Sequence, residues 1–96
     1  MYIRITKLKN VHGFKAALAA FEEDDSRDLM AETGAKFIRI MDDNSNPNVG
    51  VIIAGFEDEA AADRAWTAEQ PMREFWTANG GSGAWVTEGH VRWSSD

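Results

Sequence analysis

Apolar and polar positions alternate along the opening MYIRITKLKN, with Ile3 and Ile5 on one face of an extended segment and Tyr2, Arg4 and Thr6 on the other. This period of two predicts a first strand over residues 2–8. From Val11 the period lengthens. Phe14, Leu18 and Phe21 recur at helical spacing, then the acidic run EEDD leads to a second helical piece carrying Leu29 and Met30. Ser26 is placed to cap that piece, and Gly34 to end it, because glycine enters the left-handed region without a Cβ penalty.

AKFIRIMDD returns to alternation, with Ile38 and Ile40 on one side and Phe37, Arg39 and Met41 on the other. NSNPN is dense in turn formers and separates this second strand from VGVIIAGF, a third run that is apolar on both faces. Residues 57–69 are alanine-rich with Asp58 as N-cap, and they stop before Pro71, since the residue preceding proline avoids the helical region. Pro71 opens a short helix carrying Met72, Phe75 and Trp76, and Asn79, Gly80 and Gly81 close it. AWVTEGHVRW, residues 84–93, reads as the last strand, with GGSG before it as a turn.

The order strand, helix, strand, strand, helix, strand specifies an α+β, ferredoxin-like βαββαβ sandwich. Right-handed crossovers give an antiparallel four-stranded sheet of order 4-1-3-2 with both helices on one face. A strand apolar on both faces belongs to a sheet covered on both sides. The expected cover for the bare side is the same face of a second copy, so a homodimer through the open sheet face is predicted. The 96 residues form one domain, residues 1–96, with 44% hydrophobic content.

Charge and composition narrow the partners. The formal net charge of -6 and the scattered Lys and Arg argue against nucleic acid, whose phosphates demand clustered cations. With no cysteine, disulfides, thiolate metal sites and cysteine nucleophiles are excluded. The alternating N-terminal segment is neither signal peptide nor membrane span, which predicts a cytoplasmic protein without membrane contact.

The runs GFEDEAAADRAW and QPMREFW, set in this layout, make the chain resemble the dimeric α+β barrel superfamily. That group includes antibiotic biosynthesis monooxygenase-like, haem-degrading and stress-responsive proteins. The resemblance implies two ferredoxin-like sheets facing each other and a cavity between sheet and helices. Haem-binding members generally carry a histidine on the second helix, and residues 57–79 contain none, so no cofactor is expected. Cofactor-free monooxygenase members use a tryptophan and an asparagine in the cavity, types that Trp66, Trp76 and Asn79 supply.

Candidate chemistry falls on the last strand and the cavity wall. Strand 4 divides into Trp85, Thr87, Gly89, Val91 and Trp93 on one face, expected beneath the helices, and Val86, Glu88, His90 and Arg92 on the other. The second set would join Tyr2, Arg4, Phe37 and Arg39 on the face that the second copy covers. His90 is the candidate general acid or base, poised by Glu88, with an exposed edge-strand histidine as the competing reading. His12 is a weaker candidate. Trp66, Trp76, Asn79, Phe37, Arg39 and Tyr2 are the candidate ligand-binding residues, against the reading that both tryptophans are plain core. The loop DDNSNPN lacks the spacing of a calcium loop, EEDD reads as a solvated helix end, and no metal site is expected.

Two functions follow. One is a ligand-binding protein holding a small apolar or aromatic molecule, and the other is a cofactor-free monooxygenase-like enzyme on a flat aromatic substrate.

Overall fold

The structure, a computed structural model, describes residues 1–22 and 32–95. The acidic run beyond Glu22, the Ser26 cap and the helical piece around Leu29 and Met30 lie outside the described residues. Among the described residues seven elements follow in order: β1 (Tyr2–Asn10), α1 (Phe14–Glu22), β2 (Phe37–Asp43), β3 (Asn46–Phe56), α2 (Glu59–Ala68), α3 (Gln70–Ala78) and β4 (Gly81–His90). The sheet is antiparallel throughout and runs β2-β3-β1-β4, the predicted 4-1-3-2 order counted from the other edge. The fold is α+β and ferredoxin-like, with the second helix broken in two.

Local chemistry sets the boundaries. Asp58, with φ at -152°, accepts a hydrogen bond from Ala61 N at 2.8 Å and so caps α2. Pro71 sits in the first turn of α3, where its missing N–H removes no helical bond. At the other end Gly80 takes φ +89°, which turns the chain from α3 into β4.

Three predicted boundaries are corrected. The β2–β3 connection is a two-residue turn, not the whole of NSNPN. Asp43 accepts from Ser45 N at 2.8 Å and from Ser45 Oγ at 2.7 Å, and Asn46 already opposes Asp43. Pro47 can join the strand because β1 pairs with β3 only from Val49 onward, so no ladder bond to β1 is lost. GGSG, likewise, is a turn only at Gly80. Gly81 opens β4 opposite Asn10, and a Cβ there would meet the Trp76 ring at 2.1 Å. The strand then ends at His90, because His90 opposes Tyr2 and β1 extends no further. One more bond, from Val91 N to Met1 O at 2.9 Å, follows before the chain leaves the sheet and exposes Trp93.

The largest correction concerns the faces of the sheet. Tyr2, Arg4, Ala54 and Phe56 are buried beneath α2, whose Ala62 and Ala65 are small enough to bring the helix close. In register with them, Glu88 and His90 also lie on this covered face. Trp85, expected under the helices, is 61% exposed on the opposite face, where Lys7 stacks on its ring. Phe37 lies on that open face too, its ring over Gly55 and Arg39 stacked on it. Among the described residues, no helix is long and apolar enough to cross a membrane.

Candidate functional site

A cavity of about 300 Å³ separates the covered face of the sheet from the helices. Its wall is largely aliphatic and aromatic: Leu8 from β1, Phe14 from α1, Ile40 and Ile52 from the sheet, Met72 and Trp76 from α3. Helical spacing places Met72, Phe75 and Trp76 on one face of α3, and the sheet contributes alternate residues. The apolar period of each element is thus spent on a common space.

One end of the cavity is charged. Arg4 is 4% exposed, and a lone buried guanidinium would cost several kcal/mol or more, roughly. Every terminus of its side chain has an acceptor, which offsets that cost. Nε donates to Glu88 Oε1 at 2.5 Å, Nη1 to Glu69 Oε2 at 3.4 Å, and Nη2 to the Ala62 carbonyl at 2.7 Å. The guanidinium also lies 5.3 Å from the Phe56 ring centre and 5.2 Å from that of Trp66.

The two carboxylates respond in opposite directions. The Arg4 hydrogen bond, helped by one from Tyr2, holds Glu88 below the usual glutamate range. Burial pushes Glu69 up, against the pull of Arg4 and Arg73. Tyr2 donates its hydroxyl to Glu88 Oε2 at 2.9 Å, and this bond to a carboxylate raises the phenol to about 12. Two acids with separated proton affinities beside one cation is the arrangement that acid–base sites use.

At the opposite end the polar groups tie elements together. Asn10, fully buried, donates to the Asn79 carbonyl at 3.0 Å and accepts from His12 N at 2.9 Å. Trp76 Nε1 donates to Lys9 O at 3.2 Å, and Val11 N to Gly80 O at 2.9 Å. These bonds fasten the C-terminus of α3 to β1.

The candidates named from sequence separate accordingly. Trp66 and Trp76 line the cavity. Phe37 and Arg39 lie on the far side of the sheet from it. Asn79 folds its side chain back to donate to Phe75 O at 2.8 Å, a helix-ending role. Tyr2 and Glu88 support the charged end through Arg4. The polar partners of Glu88 are Arg4 and Tyr2, whereas His90 meets Tyr2 edge-on with ring centres 5.1 Å apart. His12 packs against Gly80. Arg4 and Glu69 were missed as site residues. Their signal was present only as an arginine on a strand face otherwise holding Tyr2 and Thr6, and a glutamate at the joint before Pro71. Among the described residues, no group of three or more acidic or histidine side chains is placed to hold a metal.

No family model matches the sequence, and no curated protein matches it. Solved structures do match its fold. A mutant of SnoaB, a cofactor-independent oxygenase from Streptomyces nogalater, superposes with a TM-score of 0.71 at 16% identity, over 98% of this chain and 95% of that one. An antibiotic biosynthesis monooxygenase gives 0.68 at 16% identity, over 95% and 98%. A mutant of MhuD with two manganese protoporphyrin IX bound per active site gives 0.70 at 11% identity, over 100% and 99%. At such identities the likeness bears on architecture, and this chain has the α+β, ferredoxin-like fold of the antibiotic biosynthesis monooxygenase-like proteins.

Proposed function

We propose that the protein is a single-domain homodimer that binds a small apolar or aromatic molecule between its sheet and helices. The observation that carries the reading is the cavity itself: about 300 Å³, walled by apolar side chains, with charge confined to one end. That combination of an apolar body and a few convergent polar groups is how small-molecule pockets are built. Trp66 and Trp76 supply flat surfaces for the ligand, and Arg4 with Glu69 supplies the polar end. Glu88 and Tyr2 fix Arg4 in place, and His90 braces Tyr2. The second copy covers the open face of the sheet, where Ile5, Met41 and Trp85 are 40%, 52% and 61% exposed.

Porphyrin binding, as in the MhuD mutant, does not fit this chain. Its two histidines, His12 and His90, stand outside the cavity wall, so no imidazole faces the space.

A second reading is a cofactor-free monooxygenase-like enzyme on a flat aromatic substrate. Glu69 favours it, because a desolvated carboxylate inside the cavity is suited to take a proton from bound substrate. Dioxygen would then be the oxidant and the substrate the source of electrons, with one oxygen atom entering the product and the other leaving as water.

Native mass spectrometry of the purified chain tests the first reading. A dimer carrying an added small mass, or a dimer that gains one from a naphthalene-type probe, is the expected result. A protein that stays bare with such probes overturns it. Dioxygen uptake in the presence of the ligand so identified decides the second, and Glu69→Gln should then lower uptake by at least about a hundredfold.

A further inference from the structure

Two guanidinium groups line the cavity, and they differ in what remains of their hydrogen-bonding capacity. Arg4 has an acceptor on each of Nε, Nη1 and Nη2. Its charge is answered by Glu88 and Glu69. Arg73, half-buried on α3, uses Nη1 to donate to Trp66 O at 2.6 Å, and its guanidinium lies 4.0 Å from the centre of the Trp66 ring. Among the described residues it forms no ion pair within 4 Å. An arginine carries five N–H donors in a planar fork suited to a carboxylate. Arg73 therefore presents a cation with no carboxylate bonded to it and spare donors beside the partly exposed Trp66, at the edge of an apolar space.

We propose that the cavity's ligand is a flat apolar acid, with its ring system among Phe14, Met72 and Trp76 and its anionic group on Arg73. This rests on the cavity reading above and adds the charge of the ligand to it. Glu69 bears on the assignment, since it is drawn on by Arg4 and Arg73 together while its ion pair is with Arg4, and burial holds its carboxyl above the usual glutamate range. The charged groups facing Glu69 are Arg4 from β1, Arg73 from α3 and Glu88 from β4. A bound anion adds a negative charge to that set, so binding should draw a proton onto Glu69.

The test uses 2-naphthoate and its neutral isostere 2-naphthamide, titrated by calorimetry into the full chain at pH 7. The acid is expected to bind at least about tenfold more tightly than the amide, the scale of one charge-assisted hydrogen-bonded contact. Arg73→Gln should remove the preference by weakening the acid alone, and Arg73→Lys should restore part of it as a point charge. Repeating the titration in buffers of different ionisation enthalpy should reveal proton uptake that Glu69→Gln abolishes. Equal binding of acid and amide overturns the anionic ligand while leaving the cavity reading intact. Binding of neither overturns both. A preference for the acid that survives in Arg73→Gln removes Arg73 from the recognition.

Discussion

The two faces of one sheet treat arginine in opposite ways. On the covered face Arg4 is buried and bonded through each of its three nitrogens, held by two carboxylates and a carbonyl. On the open face Arg39 and Lys7 lie over aromatic rings, at 4.5 Å from Phe37 and 5.1 Å from Trp85, among exposed apolar side chains. The polar network is hidden and much of the apolar surface is exposed. A buried ion cluster beneath helices points to a site, because core packing alone would favour hydrophobic residues there. An apolar sheet face with shallow cation–π contacts points to association.

The sharpest way to break this contrast is to remove Arg4. Arg4→Met keeps the apolar length of the side chain but strands Glu88, Glu69 and the Ala62 carbonyl, so a loss of about 3 kcal/mol in urea unfolding is expected. A loss as small as that of an exposed ion pair, about 0.5 kcal/mol, would mean that the covered network is not a buried one. On the open face the expected effect falls on association. Trp85→Glu should turn the proposed dimer into a folded monomer by light scattering, with its circular dichroism unchanged. Retention of the dimer would move the interface elsewhere.

A subtler measurement sharpens the covered face alone. The chain contains one tyrosine, so phenolate absorbance reports Tyr2 without ambiguity. Its midpoint should lie near 12, because the neutral phenol donates to the ionised Glu88 and loss of its proton would set two anions side by side. Glu88→Gln should bring the midpoint back toward about 10. A wild-type midpoint already near 10 would show that the Tyr2–Glu88 bond is not formed in solution.

Much of this architecture could be read from sequence. Period changes located the seven elements among the described residues, Asp58 and Pro71 marked helix starts, and crossover rules produced the strand order. The orientation of the sheet could not be read. Alternation divides Tyr2 and Arg4 from Ile3 and Ile5 but does not say which set meets the helices, and setting the Trp85 face of the last strand beneath them puts Tyr2, Arg4, Glu88 and His90 on the wrong side. Arg4 defeats that reading because its acceptors at positions 62, 69 and 88 are remote in the chain and converge only after α2 and β4 have docked. Asn10 escaped notice for the same reason, its partner Asn79 being 69 residues away. That the Glu88 oxygens accept from Tyr2 and Arg4 is likewise a fact of three dimensions.

Arg4 also stands directly opposite Glu88 in the pairing of β1 with β4, just as Tyr2 stands opposite His90. β4 is an edge strand with glycines at 81, 83 and 89, and apart from the close fit of Gly81 against Trp76 its alignment rests on its pairing with β1. A slip of one residue would bring Thr87 or Gly89 level with Arg4 and turn Glu88 toward solvent on the other side of the sheet. The guanidinium would then be buried without its carboxylate. The ion pair at the cavity's end thus serves as the index mark that admits one alignment of the edge strand and rejects its neighbours.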